Sequence, residues 1–421
     1  MADLDRQAAA ILEANDRGGF TVPTARLYPH QWNWDSAIAA LGFAEFDLNR
    51  AWTEIETLFE GQWSCGMVPH IIFRRDDPDY FPGPEVWGSD RRPPTSGYSQ
   101  PPLAATVVRA LLDKDPTAGA ARAKALFPSL LAWHRWFHRA RDPEGRGVIA
   151  AVHPWESGRD NAPDWDAALA AVDPAGVSPY SRRDTTHVDP AVRPSGEDYD
   201  RYVKLIDWGR AAGWDQAKIT REGPFAVADP GLTFVLARAD RDLGALAGTL
   251  GETGALAEIA VWIERAVEGA ARLWHEGLGA YTAWDLRRDL PAAGVSCAAF
   301  LAFYAGLAEP SRVPRLIETL DRSLAAQPFG LPSFDPAHPK FDARRYWRGP
   351  VWPVMNYLVG RGLEDAGLAV RAARLRGDIR RLVEASGFYE YFDPRDGRPA
   401  GGGEFTWTAA VWLAWASPSK R

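Results

Sequence analysis

A chain of 421 residues with 46% hydrophobic side chains can bury a large core, as one large domain or as two or three smaller ones. A formal charge of −7 with no basic run argues against a nucleic-acid partner, and no apolar stretch reaches membrane-spanning length. Only Cys65 and Cys297 are present, without CxxC or Cys/His ligand spacing, so neither a disulfide framework nor a metal site is expected.

The start of the chain, Met1-Ala2-Asp3-Leu4-Asp5-Arg6, has no basic region followed by an apolar one, so a cytoplasmic protein is expected, with no membrane partner. Residues 4–14 carry apolar positions at helical spacing and predict a short extra helix before the main body. An aromatic, polar loop follows, Tyr28-Pro29-His30-Gln31-Trp32-Asn33-Trp34-Asp35-Ser36, and runs into the apolar stretch 37–46. Asp35 stands where a helix begins. Two roles suit it there, a helix-terminus charge or an acceptor for a sugar hydroxyl beside Trp34.

From here the chain alternates helix, short break, helix. The spacing predicts helices over 34–46, 48–59, 103–112, 118–140, 197–212, 232–250, 255–275, 295–307, 313–326, 351–365, 369–385 and 405–416. Leu126, Leu130, Trp133 and Phe137 form one apolar face; Leu256, Ile259, Ile263, Val267, Ala270 and Trp274 form another. Strand-like alternation is confined to brief pieces such as 279–284, and no βα alternation is present, so the fold class is all-α. Twelve helices in antiparallel pairs close naturally into an (α/α)6 toroid, six inner and six outer, making residues 1–421 a single domain. Its long connections, 62–97, 149–194, 328–348 and 388–403, then gather at one rim and build the site, with 62–97 suited to a lid.

Within 149–194 lies Trp155-Glu156-Ser157-Gly158-Arg159-Asp160-Asn161-Ala162-Pro163-Asp164-Trp165-Asp166, two indoles and four carboxylates in twelve residues. Indole faces support the apolar face of a sugar ring, and carboxylates and amides reach its hydroxyls, so carbohydrate is the ligand class. A tryptophan-stapled acidic surface loop is the plain alternative. Near the C-terminus, Gly401-Gly402-Gly403 removes side-chain bulk ahead of Glu404. A charge at a helix start needs no such triplet; a general base that orients a water does need the space. Glycoside hydrolysis uses two carboxyl groups, and Asp160 and Glu404 are the candidate acid and base. Between them, Tyr346-Trp347-Arg348-Gly349-Pro350-Val351-Trp352-Pro353 suits a cavity wall as well as a helix entrance with Pro350 in its first turn.

These residues are similar to a known family. Glu156-Ser157-Gly158-Arg159-Asp160 resembles the ESGxD motif that carries the catalytic acid in glycoside hydrolase family 63 and, more distantly, in the trehalases of family 37. Gly401-Gly402-Gly403-Glu404-Phe405 resembles their base-bearing motif, and Trp32-Asn33-Trp34-Asp35-Ser36 and Tyr346-Trp347-Arg348-Gly349-Pro350-Val351-Trp352 match further signatures, from about residue 20 to the end. The resemblance implies an (α/α)6 domain, inversion at an α-linked glucoside or mannoside, and chemistry without metal or cofactor. The short bacterial members, which include mannosylglycerate and glucosylglycerate hydrolases, are the most similar. They imply sugar contacts at Tyr28, Trp34, Asp35, Gln100, Trp155 and Gly158, with Tyr346, Trp347 and Trp352 lining the cavity. For a glyceryl carboxylate, Arg201 and Arg348 are the candidates because a guanidinium fork fits a carboxylate, while Arg201 also stands four residues from Glu197 on the same helix.

The expected enzyme is thus an inverting, exo-acting α-glycosidase for a small-molecule 2-O-α-glycosylglycerate, and the sequence is compatible with a homo-oligomer. The alternatives are an α-glucosidase for a neutral disaccharide or oligosaccharide, a toroidal sugar epimerase using a histidine pair, and a non-catalytic sugar-binding protein. The eight histidines form no pair near the two motifs, and intact Asp160 and Glu404 disfavour the binding protein.

Overall fold

The computed structural model describes residues 3–420 except Arg26, and the side chains of Thr186 and His187 lie outside the described residues. The chain is mostly helical, and among the described residues every strand is two residues long. The largest sheet has four antiparallel strands, ordered Ala150–Ala151, Val227–Ala228, Trp284–Asp285, Leu290–Pro291. Among the described residues no helix is long and apolar enough to cross a membrane.

Local chemistry sets the helix ends. Asp115 accepts hydrogen bonds from the amides of Thr117 and Ala118 and starts Pro116–Ala140, two residues before the apolar spacing alone predicts. Asp229 caps Pro230–Leu250 in the same way, again with proline in the first turn, where its missing N–H costs nothing. Leu126, Leu130, Trp133 and Phe137 are all buried, as their spacing requires. The second predicted stripe is displaced. In Leu256–Leu273 the buried face is Ile259, Trp262, Ala266, Gly269, Ala270 and Leu273, whereas Leu256 and Val267 are exposed. The Trp262 indole stacks on His138 at 4.5 Å and rotates the helix toward that contact.

Six helices pack each on the next. Asn33–Phe43 lies against Ala104–Lys114, which meets Pro230–Leu250; that helix meets Leu301–Ala305, then Pro353–Asp365, then Thr406–Val411, which returns to Asn33–Phe43. A second set covers them from outside: Leu48–Phe59, Pro116–Ala140, Leu256–Leu273, Ala369–Ser386 and Asp3–Asn15. The N-terminal helix is therefore part of this second set rather than an appendage. Its Asp5 carboxylate accepts from Trp412 Nε1 (2.8 Å) and Ser417 Oγ (2.7 Å). Conversely Gly196–Ala211, counted from sequence among the twelve, packs on the short helix Pro84–Trp87 and flanks the cavity described below.

Candidate active site

The turn that holds Asp160 is anchored on both sides of it. Glu156, fully buried, takes two hydrogen bonds from Arg141 Nε at 2.9 Å and two from the amides of Ser99 and Val152. Arg159 is also buried. It pairs with Asp164 (3.2 Å) and Asp229 (2.7 Å) and donates to Ser296 Oγ. The charges therefore compensate one another inside the protein, which makes removal of any one costly. Gly158 takes a left-handed φ of 72°, and a Cβ there would lie 2.8 Å from the Trp34 ring. The Asp160 carbonyl accepts from Trp165 Nε1 and Tyr202 Oη, both at 2.9 Å. With its neighbours committed in this way, Asp160 is the residue of the turn whose carboxyl faces the cavity.

Each of the four long connections lends residues to one cavity. Tyr80, Phe81 and Pro82 come from the first, Trp155, Gly158, Asp160, Arg183, Asp184 and Arg193 from the second, Tyr346 and Trp347 from the third, Glu390 from the fourth. Tyr28, Trp32, Trp34, Asp35, His70, Gln100, Tyr199, Phe405 and Trp407 also line it. The first and second connections are joined by the bidentate Arg183–Asp77 pair (2.6 and 2.9 Å) and by Phe81 stacked on Tyr180 at 4.5 Å. Of the residues expected from sequence, Tyr28, Trp34, Asp35, Gln100, Trp155, Gly158, Asp160, Tyr346 and Trp347 share this cavity. Gln100 takes the Trp34 amide on its carbonyl oxygen, which leaves its amino group for a ligand.

Four of the expected residues do not line this cavity. Arg201 does not line the cavity: it pairs with Glu197 at 2.6 Å and donates to the Val172 carbonyl, so the helix-face alternative prevails. Arg348 is held in a bidentate pair with Asp166 at 2.8 Å and also reaches the Asn161 carbonyl. Trp352 stands behind the wall, stacked on Trp347 at 3.7 Å and 4°, where it fixes that indole instead of touching a ligand. Glu404 is exposed, with a left-handed φ of 49°, and lines an outer cleft with Asn15, Thr24, Tyr389 and Gly401–Gly403. The peptide carbonyls on either side of it are taken by Thr24 Oγ1 (to Gly403, 3.1 Å) and Asn15 Nδ2 (to Glu404, 2.9 Å).

Two residues not singled out in the sequence dominate the electrostatics. Glu390, 1% exposed, accepts from Tyr28 Oη (3.2 Å) and the Gly402 amide (3.1 Å). Arg193, 4% exposed, donates to Tyr28 Oη and Asp184, both at 3.0 Å, and lies 3.8 Å over the Tyr346 ring. Its Nη1 makes no well-formed hydrogen bond among the described residues, although the guanidinium also interacts with the Tyr391 hydroxyl. Burial raises the Asp160 carboxyl to about 7, with Arg193 opposing and Glu390 and Asp184 adding to the rise. Burial also raises Asp35, with Glu390 and Asp160 contributing. His70 is pushed down to about 3 by burial and is neutral. It is the one histidine among the described lining residues; His153 is spent on the Trp155 amide and the Tyr202 carbonyl. A histidine acid/base pair, as an epimerase would use, is therefore not part of the described cavity. The carboxyl groups can carry general acid/base chemistry on a polar, ring-shaped ligand.

A family model described as "Mannosylglycerate hydrolase MGH1-like glycoside hydrolase domain" matches residues 28–408. The chain belongs to this family. It is therefore a glycoside hydrolase, of the family 63 type named for the solved relatives. A mannosylglycerate hydrolase of Thermus thermophilus is 47% identical, covering 97% of this chain and 99% of the relative. A crystal structure of a Thermus thermophilus family 63 mannosylglycerate hydrolase in complex with Tris and D-glycerate superposes with a TM-score of 0.95 at 47% identity, over 98% of this chain and 99% of that one. A glucosylglycerate hydrolase of Mycolicibacterium hassiacum is 35% identical over 98% of this chain and 97% of its own. Glu390 did carry a signal of the kind that marked residues 155–166, since Phe388-Tyr389-Glu390-Tyr391-Phe392 surrounds a carboxylate with aromatic rings. Arg193, between Val192 and Pro194, carried none.

Proposed function

We propose that this hydrolase cleaves a 2-O-α-glycosylglycerate with inversion, Asp160 acting as general acid and Glu404 as general base. The reading rests on one observation: a carboxyl group raised to about 7 shares an aromatic-walled cavity with a buried arginine that keeps an unpaired N–H. A glyceryl carboxylate loses hydration on entering such a cavity and needs fixed donors to replace it. Arg193 Nη1 supplies one. The higher identity to the mannosylglycerate hydrolases favours the mannoside over the glucoside.

As acid, Asp160 protonates the glycosidic oxygen as the bond to the anomeric carbon breaks; water attacks the opposite face, and its proton goes to the base. Glu404 serves as that base once residues 401–404 turn inward. A left-handed φ at a glutamate costs about 1–2 kcal/mol, so its relaxation supports such a turn. Glu390, which shares the cavity with Asp160, is the alternative base, since one donor on each of its oxygens leaves lone pairs free. The scaffold in this reading is an (α/α)6 toroid forming one catalytic unit, supported by the six helices that each pack on the next and by the second set outside them. A cytoplasmic location suits the two free thiols, Cys65 and Cys297.

Steady-state kinetics on matched substrates tests the assignment. Wild-type enzyme should favour α-mannosylglycerate over the neutral α-mannosylglycerol. Arg193→Ala should raise KM for the glycerate by about 10- to 100-fold, the loss of one charge-assisted hydrogen bond, and change KM for the neutral glycoside far less. Arg201→Ala should leave both nearly unchanged. Equal losses on the two substrates would assign Arg193 to the fold, and a wild-type preference for the neutral glycoside would replace the glycerate reading with a neutral one.

A further inference from the structure

The residue that follows Asp160 holds two successive residues of the third connection. Asn161 Oδ1 accepts the Trp347 amide at 2.9 Å, and the Asn161 carbonyl accepts Arg348 Nη1 at 3.2 Å. Arg348 continues to the Asp166 carboxylate, which Lys340, also of the third connection, reaches at 2.8 Å. The third connection is thereby bound to the second next to Asp160 and again six residues further on. The turn it holds is a constrained one: Tyr346 has a left-handed φ of 43°, which an aromatic residue keeps only under restraint. The Tyr346 carbonyl accepts Trp352 Nε1 at 3.1 Å, and the Trp352 ring backs the Trp347 indole at 3.7 Å. Trp352 therefore limits that indole from behind, while Asn161 sets the main chain that carries it. Asn161 Nδ2 is buried without a hydrogen-bond partner among the described residues, so the Trp347 N–H alone orients the amide.

We infer that Asn161 is a positioning residue that fixes the Trp347 indole relative to the Asp160 carboxyl, so that proton donor and ring support are set from adjacent residues of one turn. The inference rests on the proposed role of Asp160 as acid and on the lining indoles as supports for the ligand. Both Asp160 and Trp347 line the cavity, and the planar peptide between Asp160 and Asn161 passes any shift of one to the other. The glycosidic oxygen has to meet the Asp160 proton while the ligand lies against the wall. An indole that drifts carries the bond away from the acid, and a displacement of about 1 Å can cost about 10²-fold in rate. Leucine at 161 keeps the volume but leaves the Trp347 amide without an acceptor, whereas aspartate keeps an acceptor oxygen in the same place.

A double-mutant cycle on the full chain tests this, read as kcat/KM on α-mannosylglycerate. Asn161→Leu should lower kcat/KM by about 10- to 100-fold in the wild-type background. Where Trp347→Ala has already removed the indole, the same change should cost about threefold or less, because nothing is left to misplace. Arg348→Met, which frees the Asn161 carbonyl but leaves the Trp347 amide held, should act in the same direction and by less. Asn161→Asp should stay within about fivefold of wild type, the acceptor being retained. Thermal midpoints show which variants are folded; if Asn161→Leu is not, Asn161→Ser, whose shorter side chain stops short of the Trp347 amide, takes its place in the cycle. An equal loss with and without the indole would overturn the inference and leave Asn161 a purely structural residue, as would wild-type kcat/KM in a folded Asn161→Leu. The cycle can be run on any α-mannoside that the enzyme turns over, so it holds apart from the glycerate assignment. Full activity of Asp160→Asn would remove the acid role and leave the coupling of Asn161 to Trp347 as measured.

Discussion

Asp160→Asn should lower kcat on α-mannosylglycerate by about 10²- to 10⁴-fold, the range that a positioned general acid contributes. The glycerate alkoxide is a poor leaving group, and without a proton donor it has to depart as the anion. An aryl α-mannoside with an acidic phenol leaves readily unprotonated, so the same variant should lose far less on that substrate. The pH profile supplies a second signature. Burial raises Asp160 to about 7, so the protonated, active form dominates below that value and is lost as pH rises through it. Wild-type kcat should fall on the alkaline side with an apparent pKa near that value, and the residual activity of Asp160→Asn should lack that limb. A variant within tenfold of wild type on the glycerate would remove Asp160 from the acid role.

Glu404→Gln should cost a comparable factor, about 10²- to 10⁴-fold in kcat, because an uncharged amide cannot take the proton of the attacking water. Azide needs no deprotonation. Its terminal nitrogen can attack the anomeric carbon opposite the aglycone while the glycosidic C–O bond breaks and the departing oxygen takes its proton from Asp160. Azide should therefore restore turnover to Glu404→Gln and yield the β-glycosyl azide. Because Glu404 faces the outer cleft, a complex with substrate should find residues 401–404 turned inward. The separation of the Asp160 and Glu404 carboxyl groups should then be about 6.5 to 9.5 Å, enough for one water. A fully active Glu404→Gln, or a substrate complex with Glu404 still outside, would dismiss it as base.

Much of this was legible in the chain because local chemistry declares itself locally. Asp115-Pro116 and Asp229-Pro230 mark helix starts by capping, and the face from Leu126 to Phe137 needs only its own period. The turn that carries Asp160 was readable because indoles, glycine and carboxylates crowd into twelve residues. Positions settled by partners distant in sequence were harder. Arg201 had two plausible partners, and the one four residues away won, since an i,i+4 pair needs no chain closure. Whether Trp352 or Trp347 faces a ligand depends on which indole the stack covers. The direction of Glu404 depends on a backbone dihedral held by Thr24 and Asn15, near the other end of the chain. Arg193 gained its importance only when folding brought Tyr28, Asp184 and Tyr346 around it. The N-terminal helix looked like an appendage because its partner, Thr406–Val411, lies at the far end of the sequence.

Proton NMR of the wild-type enzyme acting on α-mannosylglycerate reads substrate, bond and stereochemistry together. The β anomer of mannose should appear first and equilibrate slowly with the α form, with free glycerate rising in step. Initial release of the α anomer would contradict inversion by an acid and a separate base, and an intact α-mannosylglycerate beside a cleaved neutral mannoside would contradict the assigned substrate.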